Sequence, residues 1–255
     1  MVQSNTKVLL ESAYVLHPRP YQDSSLLLDI FSQQHGRVGL VAKGVKGKNK
    51  SRQALLQAFV PLQLSWSGRG ELGTVTDVEA NGTAYQFKGQ VLLSGFYLNE
   101  LLLNLLHRHD PHPELFDYYR YTLQQLSLVS GSRGLQQILR VFEMRLLQEI
   151  GYGLVLNYEV EQGDTIIPDA NYRYLLGQGP LQIQAEKHDS MTFKGSSLLA
   201  FASQKLDEGV TLRDAKRLTR QVLDYYLAGK KLHSRQLLLD LQRNAEAAEL
   251  NKQQP

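Results

Sequence analysis

An α+β fold is predicted: a small five-stranded β-barrel at the N-terminus, then a mainly α-helical domain with a small β-hairpin insertion. Three features of the sequence predict it. Short apolar or alternating runs, separated by glycine-containing turns, fill the first eighty residues. Past Asn81 and Gly82 the apolar period changes from two residues to that of a helix. Within 155–190, Glu159, Glu161, Asp164, Asp169, Glu186 and Asp189 outweigh Arg173 and Lys187, and a second strand pattern interrupts the helices.

The strands come first. Residues 8–16 form an extended stretch expected to end at His17-Pro18-Arg19-Pro20, because two prolines so close halt a regular element. The apolar run 24–31, a turn at Gln34-His35-Gly36 and a strand over 37–41 read as a hairpin. Over 59–66 apolar residues alternate, with Phe59, Leu62, Leu64 and Trp66 to one side, and the turn at 67–70 returns the chain through 72–78. Five strands in about eighty residues, turning at glycines, suit a closed barrel of the OB type.

The helices follow at 88–107, at 113–128 with Pro113 in its first turn, and at 135–150, closed by Gly151. Three more are expected at 196–206, 211–227 and 234–250, with a hairpin of 172–176 and 181–185 between the two sets. The expected domains are therefore 1–80, an OB-fold nucleic-acid-binding domain, and 81–250, a helical domain with its insertion at about 155–195. Residues 251–255 are expected to be a disordered tail.

The nucleic-acid expectation comes from charge. The chain has 28 basic and 25 acidic residues, yet 30–70 hold seven Lys/Arg and no Asp/Glu. A window without one carboxylate attracts polyanions, a bias the rest of the chain does not share. Cysteine is absent, which removes disulfides and thiolate metal sites and fits a reducing compartment. No targeting segment and no run of about 18 apolar residues is visible, so a soluble cytoplasmic protein with no membrane contact is expected. There is no Gly-x-Ser-x-Gly, no phosphate loop and no dinucleotide fingerprint. A binding protein rather than an enzyme is expected, with no catalytic residue and no cofactor.

The DNA-binding candidates are Arg37, Lys43, Lys46, Lys48, Lys50, Arg52, Arg69 and Trp66. Five of them, from Lys43 to Arg52, fall within ten residues, interleaved with Gly, Asn and Ser. Such a segment builds no core, and long flexible cations suit phosphates as point charges without asking for a base sequence. Tyr14, Tyr21, Phe31, Phe59 and Trp66 are the aromatics available for base stacking, Phe31 and Phe59 being better placed for a core. A second basic set, Arg213, Lys216, Arg217, Arg220, Lys230, Lys231 and Arg235, begins as a stripe on one helix face, a surface for a partner or for DNA. His107, His109, Asp110, His112 and Glu114 resemble a fragment of a metal-ligand motif, but they end an apolar helix where such ligands normally follow a strand; no metal is expected.

Taken together, the residues resemble the RecO family of bacterial DNA repair and recombination mediators. The resemblance rests on AYVLHPRPYQDSSLLLDIF at 13–31, GRVGLVAKGVK at 36–46, LNELL at 98–102 and RVFE at 140–143. It continues through LQEIGYG at 147–153, LRDAKRLTR at 212–220 and LAGKKLHSR at 227–235, in order along the whole chain. It implies an N-terminal OB fold and a helical domain, binding of single- and double-stranded DNA, and annealing of complementary strands. It further implies work with RecR to load RecA onto DNA coated by single-stranded-DNA-binding protein, whose acidic C-terminal tail would meet the second basic set. Many members carry a four-cysteine zinc site at about 155–195; this chain has no cysteine, so packing and hydrogen bonds must hold that region. From charge alone, an RNA- or ribosome-associated OB protein remains the rival reading.

Overall fold

The alternating runs of the first eighty residues close into a barrel. In the computed structural model, which describes residues 6–46, 50–69, 71–184, 189–207, 209–240 and 243, these are β1 (Thr6–Tyr21), β2 (Ser25–Ser32), β3 (Gly36–Ala42), β4 (Leu62–Arg69) and β5 (Leu72–Ala80). The strand order is β1-β2-β3-β5-β4, with β3 and β5 parallel through 39–41 and 72–74 and the other pairs antiparallel. Period two sends Leu26, Leu28 and Ile30, Val38 and Leu40, and Leu62, Leu64 and Trp66 inward, where they form one buried cluster with Val75 and Val78. Gly73 is part of that packing: a Cβ there would stand 2.8 Å from Leu40 Cδ2 and 3.0 Å from Trp66 Cδ1.

Two expectations are corrected. The first strand does not stop at the prolines; β1 runs to Tyr21, pairing Pro18 with Leu28 and Pro20 with Leu26. β1 pairs with β4 only as far as Ala13, so the prolines lie where one edge carries no strand and a missing N–H costs no ladder bond. Between β3 and β4 there is also a short helix, α1 (Lys50–Leu55), where no regular element is expected. Leu55 and Leu56, at its end, pack on the barrel core and fix it there.

Packing divides the chain differently from the change of period near 81. The barrel, α2 (Gly89–Leu105), α3 (Pro113–Leu128) and the residues from Leu232 onward make one compact unit, and 129–231 make another. In the first unit, α2 approaches closely at Gly95, where a Cβ would lie 2.8 Å from the Phe59 ring. Phe59, a stacking candidate, instead packs with Phe87 and Phe96 at 5.1 Å. The LNELL segment has a structural reason. Asn99 Nδ2 donates to the Leu16 carbonyl of β1 at 3.0 Å, and its Oδ1 accepts from Tyr119 of α3 at 2.6 Å. Glu100 accepts from the His233 and Ser234 backbone N–H groups at 2.7 and 2.9 Å, capping the helix of residues 233–240.

The second unit holds α4 (Ser132–Glu149), β6 (Asn171–Leu175), β7 (Gly179–Ile183), β8 (Thr192–Lys194), α5 (Gly195–Ala202) and α6 (Gly209–Tyr226). The expected hairpin is β6–β7, and β8 joins it to make a sheet of order β7-β6-β8. Arg140 and Glu143 form a buried pair at 2.5 Å within α4. The last two helices expected, α6 and that starting at 233, fall in different compact units. The tail at 251–255 lies outside the described residues.

Candidate nucleic-acid interface

The β3–β4 connection carries the basic segment out of the barrel. Lys43 follows β3 directly and is exposed; Lys46 is half-buried, its Nζ donating to the Gln22 carbonyl at 3.0 Å and its own N–H to Ser24 O at 3.0 Å. Those two bonds tie the start of the segment to the β1–β2 turn. Arg52, on α1, donates from Nη2 to Thr76 O of β5 at 3.3 Å and is half-buried. Lys48 lies outside the described residues, as do the side chains of Lys50 and Arg69. Lys43, Lys46 and Arg52 thus bracket the basic segment on the β1–β2 turn and β5 side of the barrel.

One DNA-binding expectation, Trp66, is corrected, and a second candidate, Arg37, is found bonded within the fold. Trp66 is 5% exposed inside the barrel cluster, with the His35 ring edge-on at 5.3 Å, and it offers no face to a base. Arg37 is half-buried and donates from Nη1 to the Leu103 carbonyl of α2, while its own carbonyl accepts from His109 N–H at 3.0 Å. It holds the end of α2 to β3. The aromatic candidates divide likewise. Tyr14 and Phe31 are buried against Phe116 and Tyr119 of α3, at ring distances between 5.3 and 6.2 Å. Burial pushes the Tyr14 hydroxyl up to about 12, so it stays a neutral part of that cluster. Of the five, only Tyr21, after the proline pair, is exposed.

Three charged residues missed in the sequence meet on the same barrel. Asp29, in the middle of the apolar β2, is nearly buried; its Oδ2 accepts from Arg19 Nη2 and its Oδ1 from Arg108 Nη2, both at 2.8 Å. The available signal was Asp29 itself, since a carboxylate within Leu-Leu-Asp-Ile-Phe needs cationic partners when buried.

The second basic set is divided too. On α6, Arg213 and Lys216 are exposed, and Arg220 pairs loosely with Asp224 at 3.8 Å. Desolvation, then the neighbouring Arg140 and Arg220 guanidiniums, lower the Lys216 ammonium from its ordinary value. Arg217 is committed to the fold: it donates to Thr192 O at 2.7 Å, pairs with Asp214 at 3.0 Å and lies over the Phe193 ring at 4.4 Å. Lys230 and Lys231 are exposed after α6, whereas Arg235 belongs to the barrel unit and stands over Tyr97 at 6.0 Å.

In the 155–195 region a carboxylate, Asp189, gathers several hydrogen bonds. It accepts from Arg173 Nε at 3.1 Å, Met191 N–H at 2.9 Å and Thr192 Oγ1 at 2.9 Å, which hold its pKa down to about 2. There is no cysteine, and among the described residues no three His, Asp or Glu side chains converge as metal ligands; the donor set does not fit zinc. Of the histidine cluster, His112 Nε2 stands 3.4 Å from Asp110 Oδ2. No helix among the described residues is long and apolar enough to cross a membrane.

A five-stranded closed barrel with a basic connection, followed by helices, defines a protein of the OB-barrel class. Sequence models of the recombination protein O N-terminal and C-terminal regions match residues 7–83 and 87–236. The chain is 46% identical over 237 residues to the DNA repair protein RecO of Nitrosococcus oceani, covering 93% of this chain and 95% of the relative. It is 44% identical to that of Methylococcus capsulatus (91% and 93% covered) and 42% identical to one from Coxiella burnetii (91% and 98%). The chain belongs to the RecO family.

Proposed function

We propose that this protein is a non-catalytic DNA-binding mediator of DNA repair and recombination. It binds single- and double-stranded DNA, anneals complementary strands, and works with RecR to help load RecA onto DNA coated by single-stranded-DNA-binding protein. The observation that carries the reading is the carboxylate-free basic segment, anchored by Lys46 and Arg52 to a closed OB-type barrel in a chain whose relatives are DNA repair proteins. Annealing needs neutralised phosphates and exposed bases rather than bond chemistry, and flexible lysines supply that neutralisation for any sequence.

The test is annealing of complementary oligonucleotides, each coated with single-stranded-DNA-binding protein, followed by fluorescence transfer. Faster annealing with the wild type, lost on replacing Lys43, Lys46, Lys48 and Lys50 by alanine, is expected. A wild type that leaves the uncatalysed rate unchanged contradicts the reading, and tighter binding to matched RNA would favour the ribosome-associated rival.

The exposed cations Arg213, Lys216 and Arg220 on α6 support a second contact, with the acidic tail of single-stranded-DNA-binding protein, whose carboxylates they would pair. Arg213→Glu with Arg220→Glu is expected to abolish binding of a tail peptide by fluorescence anisotropy while affinity for naked DNA falls only modestly. Arg217 is unsuited to this test, since its loss also removes contacts to Thr192 and Asp214. Unchanged peptide affinity places the tail elsewhere.

A further inference from the structure

We propose that Arg19 and Arg108 form a phosphate-binding pair on the outward face of the barrel, seating a phosphodiester of single-stranded DNA beside Leu72. The inference rests on the nucleic-acid reading above and adds a site built from residues outside the basic segment.

Register places the parts. β2 and β3 set Asp29 opposite Gly39, and Leu28 opposite Leu40. Both leucines are buried in the barrel core, so Asp29 and Gly39, one residue on, lie on the outer face. Arg108 lies across β3 at this glycine: a Cβ on Gly39 would stand 2.2 Å from Arg108 Nη1 and 2.9 Å from Leu72 Cδ2. Arg19, two residues from His17 on β1, reaches the same carboxylate from the other side. Arg37, also outward on β3, is close enough that burial and the Arg108 charge lower its pKa. Two guanidiniums therefore share one carboxylate, with a third close by.

A purely structural strap does not account for this set. Arg108 bonding to Asp29 secures the chain after α2 to the barrel, and one arginine suffices for that. Arg19 joins β1 to β2, which are already paired along 13–32, so it secures nothing further. Its side chain is 48% exposed and that of Arg108 33%, leaving N–H donors on the surface in orientations fixed by Asp29. Pre-oriented guanidinium forks match a phosphodiester, and Leu72, 46% exposed beside them, offers an apolar contact for a sugar or base.

The full-length protein is titrated with a labelled thymidine homopolymer across a range of salt, with thermal midpoints measured alongside. The variants are Arg19→Gln, Arg19→Lys, Arg19→Gln with Arg108→Gln, Lys43→Ala with Lys46→Ala, and Arg120→Gln, an exposed α3 cation, as control. Arg19→Gln is expected to weaken binding several-fold and to flatten the log K against log salt slope by about 0.7, the double variant by about 1.4. Arg19→Lys recovers the slope but not the full affinity, since a point charge replaces a fork, and Arg120→Gln changes neither. The Arg19 variants keep the wild-type midpoint, so the result stands even where Arg108→Gln perturbs folding. Wild-type affinity and slope in the Arg19 and double variants, with both lost in Lys43→Ala/Lys46→Ala, overturn the pair and leave the DNA reading standing. No effect of any variant overturns both, and an equal loss in Arg120→Gln overturns the pair in favour of net charge.

Discussion

Trp66 and Asp29 show what a single residue's neighbours decide. In the sequence Trp66 stands beside a glycine turn and is a candidate either for the core or for stacking on bases; its position in β4 turns it inward, onto Gly73 and Leu40. Trp66→Ala is therefore expected to cost about 3–5 kcal/mol of stability in urea unfolding, the range for truncating a buried aromatic. A loss below about 1 kcal/mol would mean that the ring is not part of the core. Being the sole tryptophan, it also reports on the interior, so DNA titration should leave its emission maximum unchanged. Asp29 is the opposite case: an apparently misplaced carboxylate in an apolar strand whose partners, Arg19 and Arg108, are remote in sequence. Periodicity identifies which face a residue occupies, but only the register of β1 with β2 and the path after α2 bring these charges together.

Elements were legible where one rule dominated. Pro113 begins α3 and Gly151, at φ +83°, follows α4, as helix-end chemistry requires. β1 was misjudged because proline's cost depends on whether its edge is paired, which the sequence does not state. α1 was missed because the lysines and glycines before it hid a short helix whose anchor, Leu55 and Leu56, is tertiary. The sheet of β6–β8 has its own chemical signature. Arg173 and two hydrogen bonds from the 191–192 turn hold Asp189 near pKa 2, below the ordinary 3.8. A carboxylate depressed on folding stabilises the native state above about pH 4, and this contribution fades as pH falls toward about 2. Asp189→Asn should lower the thermal midpoint at neutral pH and shorten the gap to wild type progressively between about pH 4 and 2. A gap that stays constant over that window would show that Asp189 does not carry the acid sensitivity of this region.

At the scale of the whole molecule, charge is the property most directly read from sequence and least dependent on fold detail. The basic segment within the carboxylate-free window 30–70 is anchored to the barrel through Lys46 and Arg52, whereas Trp66 is buried in the core and Arg37 is bonded to α2; Arg19 and Arg108 are the cations added by the proposal above. The chemistry proposed for the barrel is phosphate neutralisation. Its most direct measurement is the salt dependence of affinity for a single-stranded DNA oligonucleotide of mixed sequence. Neutralising about five to seven phosphates predicts a log K against log salt slope between about −3.5 and −5, flattened by replacing Lys43, Lys46, Lys48 and Lys50 with alanine and nearly the same for different base sequences. A slope near zero, or one unchanged in that variant, would contradict a barrel that grips DNA by its backbone charge.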